Sequence, residues 1–325
     1  MSENKPNVLH VPARAIPVPA HMSAQAQAWL SMPWPTGGAG YPALHDAEGW
    51  RQHVAAGDAM ILQVYMSGRS QEGLSIEAIS IDGVAGFALT PEGVTGADRR
   101  VYLDIHGGAL IMGAGEVCKA MAMGTAATVG ARVIAVDYRM PPDHPYPASL
   151  DDCLTVYRAL LRNYAPKDII VGGGSAGGNL AAAMLLRARD EGLPIPAAAV
   201  LGSPEVDLTE SGDSFQTNAG IDGMGSLMQA NLLYAGGADL TDPYISPLFG
   251  DFTKGFPPTM LSAGTRDVFL SNAVRMHRAL RDAGIEAELH ILEAAAHGAF
   301  GGGTPEEASL NRETRRFCEK WWGEG

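Results

Sequence analysis

The stretch Asp168-Ile169-Ile170-Val171-Gly172-Gly173-Gly174-Ser175-Ala176-Gly177-Gly178-Asn179-Leu180 decides how this chain folds. Its opening is short, apolar and β-branched, as a buried strand requires. From Leu180 the chain continues Ala-Ala-Ala-Met-Leu-Leu-Arg, a strongly helix-forming composition. Between the two, glycines turn the backbone tightly and leave Ser175 at the apex. Gly173, Ser175 and Gly177 fill the pattern G-x-S-x-G. A serine at such a turn sits in strained backbone with its hydroxyl raised above the sheet. The flanking glycines have no side chain to collide with the adjacent strand and helix. The first N–H groups of that helix, beginning with Ala176, aim at any negative charge that develops beside the hydroxyl.

Outward from this turn the elements alternate. Strands are predicted at 74–81 and 86–90, joined by an Asp82-Gly83 turn as an antiparallel hairpin at the sheet edge. Further strands follow at 100–105, 132–137, 168–171, 197–201, 259–263 and 286–292. Helices are predicted between or after them at 116–129, 149–164, 179–190, 271–283 and 306–322. Strict alternation means right-handed crossovers and a mostly parallel central sheet flanked by helices, an α/β fold. Two regions break the rhythm. Residues 1–60 carry prolines at 12, 17, 19, 33, 35 and 42 between short helical pieces such as Ser23–Ser31, together with Trp29, Trp34, Tyr41 and Trp50. Residues 205–240 carry no strand signal where a short connection is usual. Both are read as a helical cap, one N-terminal and one inserted, over a main domain of residues 61–325.

A chain of 325 residues with 46% apolar and 18% charged residues can bury a sizeable core. Its net charge of −13 argues against nucleic acid or an anionic membrane as partner. Three scattered cysteines, Cys118, Cys153 and Cys318, give neither a disulfide framework nor a zinc motif. No metal or other cofactor is expected, because no nucleotide, flavin or metal motif occurs. Met1-Ser-Glu-Asn-Lys-Pro begins no apolar signal core, so a cytoplasmic location is expected.

A serine hydroxyl is inert at neutral pH unless a base takes its proton, and the base needs a third group to orient it. In an open α/β sheet such groups gather at the carboxyl ends of strands. After the strand at 259–263 comes Gly264-Thr265-Arg266-Asp267, and after that at 286–292 comes Glu293-Ala-Ala-Ala-His297-Gly298. Ser175, Asp267 and His297 are therefore the candidate nucleophile, acid and base, although Asp267 alone would serve equally as a helix cap. His290, His277 and His144 compete for the base role, but the first lies within a strand, the second lies mid-helix and the third precedes the serine. After the strand at 100–105 comes His106-Gly107-Gly108-Ala109. Adjacent glycines let N–H groups turn toward a substrate oxygen, so Gly107, Gly108 and Ala176 are candidate oxyanion donors. Trp34, Ala109, Met224 and Met228 are candidate pocket residues. Glu205, beside Pro204 at a strand end, is read as a cap or lid contact in preference to a site residue.

These segments, with Asp137-Tyr138-Arg139, Asp143-His144-Pro145-Tyr146-Pro147-Ala148 and Pro257-Pro258-Thr259, resemble the hormone-sensitive-lipase-like branch of the α/β-hydrolase esterases over about residues 74–322. The resemblance implies the α/β-hydrolase fold, an oxyanion hole at the His-Gly-Gly loop and hydrolysis of short- to medium-chain carboxylic esters. It implies that His106 shapes its loop, and that Asp143 and His144 are scaffold. It also allows a homodimer through the last strand. Three departures stand out. Ala109 replaces a third glycine, Gly174 replaces the usual Asp or Thr, and Val268-Phe269 replaces Pro-Leu, a change expected to affect packing only. Two alternatives remain: the same machinery acting on a lactone, amide or carbamate, and an inactive relative that binds a small ligand. Inactive receptors of this fold lose the histidine that is present here as His297.

Overall fold

The computed structural model describes residues 8–32, 40–66 and 71–323. Eight strands form one sheet: β1 Leu74–Ile81, β2 Val84–Pro91, β3 Val101–Ile105, β4 Arg132–Val136, β5 Ile169–Gly174, β6 Ala198–Gly202, β7 Thr259–Gly264 and β8 Ala287–Leu292. Their spatial order is β1-β2-β4-β3-β5-β6-β7-β8. β1 and β2 pair antiparallel, as does β2 with β4, and every later pairing is parallel. The sheet is the one the alternation predicts, with the hairpin at one edge and β8 at the other.

The strands are apolar on both faces because helices cover both. Along β4, Ile134 and Val136 face one core and Val133 and Ala135 the other, the period of two expected of a strand. The first core is closed by α4 Ala148–Asn163, α5 Ala176–Asp190 and α8 Leu270–Asp282. The second is closed by α3 Glu116–Val129 and α9 Pro305–Gly323, through Cys118, Met123, Phe317 and Cys318. All three cysteines are free and buried.

The N-terminal region holds α1 Ala24–Leu30 and α2 Ala47–Met66. Ser23 caps α1 by accepting the Ala26 N–H, and its own N–H and hydroxyl donate to Glu306 of α9 at 2.8 and 2.7 Å. α2 departs from the expected short pieces. It is one 20-residue helix that runs through the boundary drawn at residue 60. It buries only Trp50 completely, so its apolar period is weak in the sequence. The region between β6 and β7 contains α6 Ser214–Thr217 and α7 Met228–Ala235 but no strand. No helix among the described residues is long and apolar enough to cross a membrane.

Candidate active site

Ser175 stands between β5 and α5 with φ 56° and ψ −124°, in the left-handed region that a side chain disfavours. Backbone bonds impose this conformation. Its N–H donates to the Gly202 carbonyl at 2.8 Å, and its carbonyl accepts from the N–H groups of Asn179 and Glu205, each at 3.2 Å. The glycines beside it are required by close packing against the end of β3. A Cβ at Gly173 or at Gly177 would collide with the Ile105 carbonyl oxygen. Gly174 is different: a Cβ there would meet only the Gly202 oxygen, at an ordinary 3.6 Å. A Cβ is therefore tolerated at Gly174, and the glycine is not required there by packing.

The loop after β3 lies directly against the serine. A Cβ on Gly107 would sit 3.0 Å from the Gly174 oxygen and 3.4 Å from the Ser175 Cβ, and one on Gly108 (φ 127°) would strike the Met112 carbonyl. His106 shapes this loop from inside. Its Nδ1 lies 2.8 Å from the Gly107 carbonyl oxygen, and its ring stacks on Tyr138 at 4.0 Å. The Tyr138 hydroxyl donates to the His106 carbonyl. Burial pushes the His106 pKa down to about 4, so the imidazole is neutral. Its ligand atom lies within 4.8 Å of those of Cys118 and Asp137. Each of the three is already engaged with backbone, Cys118 donating to Val136 and Asp137 accepting from Gly115. Ala109 adopts φ 53°, a strained value for a residue with a Cβ. Its methyl group packs into both apolar clusters beneath the cap, which holds it there.

The candidate acid and base come from the loops after β7 and β8. These loops pack closely: Thr265 N–H donates to Leu292 O at 3.0 Å, Arg266 N–H to Ala295 O at 2.9 Å, and Ala294 N–H to the Thr265 hydroxyl at 2.8 Å. His297 Nε2 lies 3.0 Å from Ser175 Oγ. Its Nδ1 lies 3.4 Å from Asp267 Oδ1, an ion-pair contact longer than a formed hydrogen bond. Catalytic hydrogen bonds are often this long before substrate binds. Asp267 is fully buried, and its Oδ1 also accepts the Phe269 N–H at 2.8 Å, so it stabilises the turn into α8 as well. Burial opposes its charge, but the facing imidazole and the Ser203 hydroxyl outweigh this and hold its pKa below the usual value. Burial likewise disfavours the imidazolium of His297. Asp267 outweighs this first, followed by Asp222 and, where it is ionised, Glu205, and the pKa is raised.

The structure thus brings together Ser175, His297 and Asp267, with Gly107, Gly108 and Ala176 beside the serine. The competing histidines lie elsewhere: His290 contacts Glu288 within β8, and His277 is on α8. Asp143 and His144 are exposed, and Asp143 pairs with Arg51 of α2 at 2.7 Å. Of the expected pocket residues, Ala109 and Met224 gather with Tyr41, Phe215, Leu227 and Phe269. Met228, half-buried at the start of α7, belongs to neither cluster beneath the cap. Trp34 lies outside the described residues.

Three polar residues carry more than their sequence context suggests. Asn218 donates from Nδ2 to the Asp267 carbonyl at 2.9 Å, and Asp222 accepts from both the acid and base loops. Nothing in their glycine-rich segment signals this, because the partners are backbone groups far away in the chain. Glu205 was expected at the cap, but its side chain is fully buried behind the elbow and faces His297, Tyr41 and Asn231. Among the described residues neither carboxyl oxygen has a partner at bonding distance, and burial pushes its pKa up to about 8.

A strand–serine–helix elbow between glycines on a mostly parallel sheet points to an α/β-hydrolase. Residues 102–301 match the family described as alpha/beta hydrolase fold, and the chain belongs to that family. It is similar to an esterase of Acinetobacter venetianus, with 32% identity over 223 residues that cover 67% of this chain and 72% of the relative. Among solved structures it is similar to esterase E25, with TM-score 0.90, 34% identity and coverage of 97% of this chain and 99% of that one. It also resembles an esterase from the bacterial hormone-sensitive lipase family, with TM-score 0.77, 30% identity and coverage of 88% and 100%. Within the α/β-hydrolases, then, the chain is a carboxylic ester hydrolase of the bacterial hormone-sensitive-lipase branch.

Proposed function

We propose that this enzyme hydrolyses short- to medium-chain carboxylic esters through an acyl-enzyme formed on Ser175. The observation that carries this reading is the 3.0 Å approach of His297 Nε2 to Ser175 Oγ, with Asp267 on the far side of the imidazole. Ser175 Oγ attacks the ester carbonyl, and His297 takes its proton and passes it to the departing alcohol. Asp267 holds the imidazole and stabilises its transient charge. The N–H groups of Gly107, Gly108 and Ala176 receive the oxyanion, each aligned donor contributing roughly 3–4 kcal/mol. Water activated by His297 then releases the acid and restores the serine.

The cap in this reading comprises the N-terminal region through α2 and the insertion at 205–240. Its Tyr41, Phe215, Met224 and Leu227 crowd around Ala109 and Phe269, which favours compact, apolar acyl groups over long chains. A panel of nitrophenyl esters should give its highest kcat/KM among the short and medium acyl chains, with lactones and amides slower. A maximum at long chains, or faster turnover of amides, overturns the substrate reading.

The pH profile tests the base. His297 must be neutral to accept a proton, and its pKa lies above the reference 6.5. Activity is therefore absent while the imidazole is charged and appears as pH rises through this raised value. The acid limb of kcat/KM should have its midpoint above 6.5, with activity persisting at alkaline pH. A limb centred below 6.5 contradicts the electrostatics assigned to His297.

A further inference from the structure

We infer that Asp222, contributed by the cap insertion, is a positioning residue that ties the acid and base loops together and adds a second carboxylate facing His297. This rests on the triad reading above and deepens it. One oxygen, Oδ2, accepts two backbone N–H groups at once: that of Val268, next to the acid, at 2.9 Å, and that of His297 itself at 3.1 Å. The other, Oδ1, accepts the Met224 N–H at 3.0 Å. The side chain is 6% exposed, and among the described residues no Lys or Arg forms a salt bridge with it. Burial and the nearby Asp267 raise its pKa, while the convergent N–H donors and the facing His297 imidazole pull the other way, because charge-assisted hydrogen bonds are roughly twice as strong as neutral ones.

The neighbouring cap residues act in the same direction. Asn218 Nδ2 donates to the carbonyls of Asp267 (2.9 Å) and Thr265 (3.3 Å). Ser214 donates to the Val268 carbonyl at 2.5 Å and accepts the Ser271 N–H at 2.9 Å. Residues 214–222 thus grip the acid loop from 265 to 271, and Asp222 alone among these three also reaches the base loop. The Val268 N–H is central to this arrangement. Where this branch commonly has proline, no such donor exists. The replacement of Pro by Val, expected to alter packing only, supplies a hydrogen bond between cap and acid loop.

Carboxyl groups face His297 from three directions: Asp267 on the acid loop, Asp222 on the insertion, and Glu205 behind the elbow, the last charged only as pH approaches 8. Removing the Asp222 charge lowers the stability of the imidazolium, so it moves the acid limb to lower pH, which a purely structural support would not do. Asp222→Asn is expected to lower kcat about 10- to 100-fold, as loosened catalytic geometry does. KM should change by less than about threefold, because substrate binding is not what the tie controls. Val268→Pro deletes one donor and leaves the carboxylate in place. It should lower kcat several-fold with the acid limb unmoved, separating position from charge. The assay is kcat, KM and the kcat/KM pH profile for all variants, with folding checked by circular dichroism. Wild-type kcat and an unmoved limb in Asp222→Asn overturn the inference, as does wild-type kcat in Val268→Pro. A parallel Ser175→Ala variant distinguishes the failures. If it is inactive, only the Asp222 tie falls; if it remains active, the triad reading falls.

Discussion

Replacing Ser175 with alanine should lower kcat toward a nitrophenyl ester by about 10⁴–10⁶-fold, the loss seen when a member of a cooperating triad is removed. The elbow itself should survive. Its geometry is held by backbone groups: the Ser175 N–H on Gly202, and the Ser175 carbonyl under Asn179 and Glu205. Alanine keeps all three bonds and suffers the same strain at φ 56° as serine. The hydroxyl's one side-chain partner is the His297 ring, so its deletion removes a single hydrogen bond. Thermal stability should therefore stay within about 1 kcal/mol of wild type, the usual net value of such a bond. Residual turnover above the uncatalysed rate should remain, because oxyanion donors and binding act without the nucleophile. Retention of more than about a tenth of wild-type kcat in a folded variant would mean that the attack comes from another group or from water.

How legible such a site is depends on whether topology or packing creates it. A parallel sheet gathers the carboxyl ends of its strands on one edge, so Ser175, Asp267 and His297 can each be nominated from its place after a strand, and the structure brings them within contact. The sheet reads equally well, because strands covered on both faces leave dense apolar runs such as Arg132–Val136. α2 is less legible. It rests on the surface and buries Trp50 alone, so Arg51, Gln52 and His53 interrupt its period. Asp222 is not legible at all. Its role exists only because two loops, one containing Val268 and the other His297, present N–H groups to the same oxygen. The consequence of Val268 was likewise hidden: a residue type announces its side chain, while here the backbone N–H matters. Glu205 fails for the opposite reason. A carboxylate beside Pro204 suggests a solvated cap contact, and only the packed structure reveals that it is enclosed with no hydrogen bond to either oxygen among the described residues.

That enclosure predicts a second large effect, on stability. Burial raises the Glu205 pKa from 4.5 to about 8, against the opposing pull of the Asn231 amide and the His297 imidazole, with Glu210 and Asp207 adding to the rise. The folded protein therefore holds this proton more tightly than the unfolded chain. The sign follows from linkage: stability is fully present below the unfolded value of 4.5 and is lost as pH rises through 8. A gap of this size corresponds to a loss on the order of 5 kcal/mol across the interval. Glu205→Gln removes the titration while keeping the shape and polarity of the side chain. Wild type and variant should melt at similar temperatures near pH 5, and at pH 9 the variant should melt roughly 7 °C higher, taking about 1.5 °C per kcal/mol for a chain of 325 residues. Asp104, buried beneath α3 with its pKa raised to about 7 by burial, contributes a loss of the same sign. It is common to both proteins, so the difference between them isolates Glu205. Equal differences in melting temperature at the two pH values would show that Glu205 ionises freely in the folded enzyme. A neutral acid behind the elbow has a functional corollary. Near neutral pH, Asp267 and Asp222 supply the charge that supports the imidazolium, and Glu205 joins them only once it ionises, near 8.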